Sequence, residues 1–266
     1  MFQKQALRTP ILILLSALLV PLIASANAGD LEREQRLASQ IVDAIMDGDP
    51  IELSDNGHDF LAIHMESNAD EVKGGVIILH GRGLHPDWES VVQPLRTALP
   101  DHGWHTLAVQ MPVLHKQAKY YDYEPLFPEA LPRIEAAINY LKEQGVEKIV
   151  LIAHSCGAHM AMHRIRDKGD NGLAAYVGIG MGATDLGQKM RQPFPLEKMR
   201  VPVLDIYAEN DFPAVLRMAP DRLAMIRKAG NPQSAQQQIP AAEHYFEDHG
   251  DELVEAISNW LNGLKL

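Results

Sequence analysis

From Val76 onward, short continuous apolar runs alternate with longer segments of helical length. The runs are Val76–Leu79, Thr106–Val109, Ile149–Ala153, Ala174–Ile179 and Val201–Tyr207, followed by a weaker one at Gln236–Ile239. Continuous apolarity suits strands buried on both faces. The intervening segments Trp88–Leu99, Pro128–Gln144, Ala158–Lys168, Ala214–Ala229 and Asp251–Leu264 read as helices. Regular alternation of this kind predicts an α/β fold: a mostly parallel central sheet with helices on both faces. Two extended runs, Ile51–Ser54 and Phe60–Met65, precede it. Before them, Leu37, Ile41 and Ile45 recur every four residues among charges, so Leu31–Asp47 reads as an amphipathic helix ended by Gly48-Asp49-Pro50. Tyr120–Phe127 and Gly182–Arg200 read as irregular connections.

The start of the chain has a different pattern. Lys4 and Arg8 precede an apolar run from Ile11 to Ala24, interrupted by Pro21, and Ala26-Asn27-Ala28 supplies the small residues that a signal peptidase reads. Residues 1–28 are therefore expected to be a signal peptide, with Ala24-Ser25-Ala26 as the alternative cleavage site. Residues 29–50 would form an N-terminal helical extension and 51–266 one domain. The apolar run falls short of the roughly 20 residues that span a bilayer. The expected location is periplasmic or secreted, without stable membrane insertion after cleavage; an uncleaved anchor is the alternative.

Composition narrows the partners. The chain is 46% hydrophobic and 22% charged, with a net charge of −11. Loss of Lys4 and Arg8 with the leader takes it to −13. Such acidity argues against nucleic acid and anionic lipid as partners, because phosphate calls for a basic surface. The single cysteine, Cys156, excludes an intramolecular disulfide.

In open α/β sheets, ligands gather at the carboxyl ends of the strands. After the strand Ile149–Ala153 comes His154-Ser155-Cys156-Gly157. A serine between a buried strand and a helix, flanked by small residues, has the form of a nucleophile elbow. Ala153 stands where glycine is usual, and Gly157 fills the second small position. Ser155 is the candidate nucleophile, and the N–H of Cys156 a candidate oxyanion donor. The strand ending at Leu79 runs into His80-Gly81-Arg82-Gly83, whose glycines let the backbone approach a reacting carbonyl. The Arg82 N–H is the second oxyanion candidate. His244, after the last strand, is the candidate general base, with His249 as the alternative. Asp211, after Val201–Ala208, is the candidate orienting acid, with Asp185 as runner-up and Asp205 as a poorer choice inside the strand. The loop residues His80, Gly83, His85, Trp88 and Tyr121 are candidates to line a substrate pocket.

The order Ser155, Asp211, His244 is that of the α/β-hydrolases. From about Lys73 to Leu264 the chain resembles that superfamily. More narrowly, Leu79-His80-Gly81-Arg82-Gly83-Leu84-His85-Pro86-Asp87-Trp88 and Val203-Leu204-Asp205-Ile206-Tyr207-Ala208-Glu209-Asn210-Asp211 resemble segments of a bacterial α/β-hydrolase-like family of unknown function found in exported proteins. The resemblance implies the α/β-hydrolase fold and hydrolysis through an acyl-enzyme, with no cofactor and no metal. The expected substrate is a small-molecule ester or thioester of a small to medium acyl group. A peptidase with the same triad, and a non-catalytic hydrolase-fold binding or assembly protein, are the alternatives. His159 and His163 share a helix face at metal-ligand spacing, but no His-Glu-x-x-His pattern accompanies them.

Overall fold

The computed structural model describes residues 29–55, 57–182 and 189–266. The leader read at 1–28 lies outside the described residues. The strands are β1 (Asp49–Asp55), β2 (His58–Met65), β3 (Gly74–Leu79), β4 (Trp104–Val109), β5 (Ile149–His154), β6 (Ala175–Ile179), β7 (Val203–Asn210) and β8 (Ala235–Glu243). They form one sheet in the order β1-β2-β4-β3-β5-β6-β7-β8. β1 and β2 form an antiparallel hairpin, and β2 is antiparallel to β4; every other pairing is parallel. Leu79 pairs with both Val109 and Ala153, so the carboxyl ends of β3, β4 and β5 stand level.

The helices are α1 (Leu31–Ala44), α2 (Val92–Ala98), α3 (Tyr120–Tyr123), α4 (Phe127–Glu143), α5 (Cys156–Lys168), α6 (Pro213–Ala229) and α7 (Gly250–Gly263). The twofold period of the strands divides the core between the two faces. Ile77, Leu79 and Leu151 face Ile134, Ala137 and Leu141 of α4 and Ala158 and Ala161 of α5. Val76, Ile78, Val150 and Ile152 face Leu95 of α2, Ile41 of α1 and Leu253 and Ile257 of α7.

Three elements depart from the expected pattern. The helix expected from Trp88 begins only at Val92, because Pro94 lacks an N–H and fits a helix only in its first turn. Tyr120–Phe127 is not irregular. It is a short helix and a 3-10 turn leading into α4, started by Asp122, whose carboxylate accepts the Lys119 N–H at 2.7 Å. β8 runs on to Glu243 through Pro240, a residue that an edge strand tolerates.

α1 is bolted to the sheet at its first turn. The Asp30 N–H donates to the Val113 carbonyl at 2.7 Å. Glu34, buried, accepts the Val113 N–H at 3.1 Å and pairs with Arg133 of α4 at 2.8 Å. Arg133 also pairs with Asp55 of β1 at 3.0 Å. The helix thus packs on the core through buried charge as well as through Ile41, and β1 itself begins at Asp49, before residue 51.

Candidate active site

Ser155 sits between β5 and α5 with φ 52° and ψ −116°, a backbone conformation that a serine rarely adopts. Its N–H donates to the Ile179 carbonyl of β6 at 2.8 Å. The turn is tight enough that a Cβ on Gly157 would lie 2.5 Å from the His80 carbonyl oxygen and 2.9 Å from that of Leu79. Ala153, where glycine is usual, is wholly buried between Leu79 of β3 and Gly178 of β6. Facing Gly178, its methyl has a neighbour without a side chain.

The three residues expected to act together are brought together. Ser155 Oγ lies 2.9 Å from His244 Nε2, and His244 Nδ1 lies 2.5 Å from Asp211 Oδ1. The carboxylate at Nδ1 fixes the proton there, which leaves Nε2 free to accept from the Ser155 hydroxyl. Asp211 is itself held by backbone: Oδ1 accepts the Phe212 N–H at 2.7 Å and Oδ2 the Ala208 N–H at 3.2 Å. All three residues are buried. The Phe212 ring stacks on the imidazole with centroids 4.0 Å apart, and Tyr245 meets it edge-on at 5.1 Å.

Cys156 opens α5 with its N–H at the helix N-terminus, where backbone dipoles favour negative charge. Its side chain is buried in the core cluster that holds Ala153. The second oxyanion candidate lies in a turn closed by the Leu84 N–H donating to Gly81 O at 3.2 Å, with Gly83 at φ +70°. A Cβ on Gly81 would lie 3.3 Å from the Ser155 Cβ, so this turn passes directly beside Ser155.

The lining candidates separate. His80 does not line an open pocket. It is 1% exposed, and Met111 N–H donates to its Nε2 at 2.9 Å, which leaves Nδ1 to donate to the Gly81 carbonyl at 2.9 Å. Burial pushes its pKa down to about 3, so it is a neutral tie between the loops after β3 and β4. His85 meets Trp88 edge-on at 5.6 Å, both partly buried on the same loop as Gly83. Tyr121 is tied to Lys189: its hydroxyl donates to the Lys189 carbonyl at 2.8 Å and accepts the Lys189 N–H at 3.0 Å.

Of the alternatives, His249 stands before α7 with its ring on the Glu247 carbonyl, and Asp205 pairs with Arg222 at 2.8 Å inside β7, where both are fully buried. Asp185 lies outside the described residues. His159 donates from Nε2 to the Gly182 carbonyl at 2.9 Å, and its Nδ1 faces the Tyr120 hydroxyl at 3.4 Å. Burial pushes its pKa down to about 4.

Three neighbours of the relay were not singled out from sequence. His154 donates from Nε2 to the His244 carbonyl at 3.1 Å, and its pKa is pushed down to about 3 by burial and then by the neighbouring His244. Gly180, with φ +59°, underlies the imidazole of His244: a Cβ there would lie 2.9 Å from His244 Cε1. Phe212 covers the ring. The position of His154 beside Ser155 was a usable signal; Gly180 and Phe212 acquire meaning only once β6 and β7 are adjacent.

The eight-stranded sheet and its elbow define the α/β-hydrolase fold, and solved structures agree. The chain is similar to Est1E from Butyrivibrio proteoclasticus (16% identity, TM-score 0.62, covering 81% of this chain and 98% of that one). It is similar to an alpha-beta serine hydrolase homologue from Coxiella burnetii (18%, 0.61, 81% and 98%) and to the Pyrococcus furiosus esterase Pf2001 (17%, 0.62, 84% and 94%). No curated protein matches. The chain belongs to the family described as "Protein of unknown function (DUF3530)", which matches over residues 21–129 and 128–263.

Proposed function

We propose that the protein is a serine hydrolase that cleaves carboxylic esters or thioesters through an acyl-enzyme. The observation that carries this reading is the continuous buried chain from Ser155 Oγ through His244 to Asp211. In it, His244 Nε2 takes the Ser155 proton as Oγ attacks the carbonyl carbon. Asp211 stabilises the imidazolium that forms. The N–H groups of Arg82 and Cys156 receive the oxyanion. His244 then protonates the leaving oxygen or sulfur, and the same cycle run with water releases the acid. The connection from β6 to β7 spans 180–202, too short for a multi-helix cap, which supports small to medium acyl groups. The leader pattern at 1–28 supports export to the periplasm or medium. No helix among the described residues is long and apolar enough to cross a membrane.

A fluorophosphonate probe tests the reading. The folded native protein should be labelled and Ser155→Ala should not, and a panel of p-nitrophenyl esters and thioesters should be turned over by the first alone. A folded native protein that takes no label and cleaves no member of the panel would leave the hydrolase-fold binding protein as the better account.

A further inference from the structure

The Arg33 side chain of α1 bonds two backbone carbonyls. Nη2 donates to the Gly83 carbonyl at 2.9 Å, and Nη1 donates to the Leu114 carbonyl. Gly83 belongs to the loop after β3 and Leu114 to the loop after β4. The first of these loops carries the Arg82 N–H. It turns at Gly81–Leu84, with the Leu84 N–H closing on the Gly81 carbonyl, and Gly83 alone of its two central residues is left-handed. That is a type II turn, in which the third residue must take positive φ. Its hydrogen bond, at 3.2 Å, lies at the upper end of the ordinary range. Contacts from outside add to it in fixing the peptide planes of the turn. Arg33 supplies one at the carbonyl of the left-handed glycine.

Two further bonds complete the bracket. The Leu114 N–H donates to the Tyr123 hydroxyl at 2.9 Å, and below, His80 ties the Gly81 carbonyl to the Met111 N–H. The docking of α1 itself does not need Arg33, since Asp30 and Glu34 already fasten the helix to Val113 and Arg133. A guanidinium is suited to the task because its fixed fork aims N–H groups on two separate nitrogens at two acceptors, whereas an ammonium donates from a single nitrogen with no fixed direction.

We propose that Arg33 is a positioning residue for acyl transfer: from the N-terminal helix it fixes the Gly81–Leu84 turn so that the Arg82 N–H meets the oxyanion. The inference rests on the serine-hydrolase reading above. It makes the first turn of α1 part of the working enzyme, and it predicts that the loss falls on the chemical step. Oxyanion donors act on charge that develops only in the transition state, so a displaced turn lowers kcat and leaves KM nearly unchanged.

The test uses the mature chain with Arg33→Met, which keeps the aliphatic stem, Arg33→Lys, and Arg36→Met as a surface control. Hydrolysis of p-nitrophenyl acetate should show kcat down by about tenfold to a hundredfold in Arg33→Met, KM within about twofold, and partial recovery in Arg33→Lys. Arg36→Met should match the native chain. Hydrogen exchange of the segment 80–85, which needs no activity, should quicken in Arg33→Met while that of β5 stays slow. Unchanged exchange in 80–85, or an unchanged kcat in an active enzyme, overturns the proposal. A native chain that is inactive, with exchange quickened in Arg33→Met, removes the hydrolase reading and leaves the bracket as a structural clamp, so the catalytic role falls with it.

Discussion

His154 Nε2 lies 3.1 Å from the carbonyl oxygen of His244, so the residue before Ser155 holds the backbone of His244. Only a donor can face a carbonyl, which puts the His154 proton on Nε2. Its Nδ1 has no hydrogen-bond partner among the described residues. The ring is stacked obliquely near the His244 imidazole, with centroids 5.1 Å apart. Replacement by phenylalanine keeps a flat aromatic ring, though a larger one, and strands the His244 carbonyl, which costs about 1–3 kcal/mol. With the His244 backbone released, kcat should fall by about tenfold or more. His154→Gln keeps a donor near the position of Nε2 and should recover much of both losses. Thermal melting and kcat for the three proteins check this; equal losses in Phe and Gln variants would count against the bond.

Two glycines make separable predictions. In Gly157→Ala the new Cβ meets the backbone carbonyls of Leu79 and His80, which cannot rotate away. Overpacking of this kind costs about 1–3 kcal/mol, and the elbow shifts with it. In Gly180→Ala the Cβ meets the His244 ring, and φ +59° holds the alanine in the left-handed region, which adds about 1–2 kcal/mol of strain. Stability should fall here too, while His244 is pushed off Ser155 and kcat falls by about a hundredfold. Melting curves paired with fluorophosphonate labelling rates check this: both variants should melt lower, labelling should fall further in Gly180→Ala, and equal labelling of the two would count against the contact with the ring.

These residues also show what the sequence could reveal. The buried strands were legible as apolar runs, and the convergence of Ser155, Asp211 and His244 was legible because each follows a strand in a set order. Gly180 was not, since its meaning depends on β6 lying beside β7, a relation between distant segments. β8 was read short because an edge strand exposes residues such as Gln237 and Gln238 and carries little apolar pattern. His80 was misread as lining because it precedes a glycine loop; its burial depends on the Met111 N–H, thirty-one residues away. The bracketing of the turn by Arg33 was invisible for the same reason.

Acid should unfold the protein early. His80, His154 and His159 are buried and neutral, with pKa values pushed down to about 3, about 3 and about 4 against an ordinary 6.5. The unfolded chain takes up their protons as pH falls through 6.5, and the folded chain does not until pH 3–4. Their contribution to stability is therefore full above pH 6.5 and is lost on descent through that window. At pH 5 each favours unfolding by about 2 kcal/mol, or about 6 kcal/mol together, against a typical total of about 5–15 kcal/mol. Cooperative unfolding is expected between about pH 4 and 5, with an uptake near three protons from these sites. Circular dichroism with potentiometric titration measures both. His159→Gln should lower the midpoint pH; an unchanged or raised midpoint in this variant would show that the His159 ring is not buried neutral.

The last prediction concerns how firmly α1 belongs to the folded domain. Glu34 is 4% exposed and lies between Arg133 and the Val113 N–H, whereas Arg36, on the same helix, meets Glu32 at 3.0 Å in solvent. Removing one partner of a buried pair leaves an uncompensated charge and costs about 3–5 kcal/mol, while an exposed pair contributes at most about 1 kcal/mol. Glu34→Ala strands the Arg133 guanidinium, although Asp55 and the Gln110 carbonyl, at 3.0 and 3.1 Å, remain to it and should hold the loss to about 3 kcal/mol. The double change Glu34→Leu with Arg133→Met removes both charges but leaves the Asp55 carboxylate and the Val113 N–H without these partners, so it should recover little of that loss. Arg36→Ala should fall within about 0.5 kcal/mol of the native chain. Urea unfolding of the four proteins decides it: if Glu34→Ala is no worse than Arg36→Ala, α1 is an appendage and the buried pair does not fasten it.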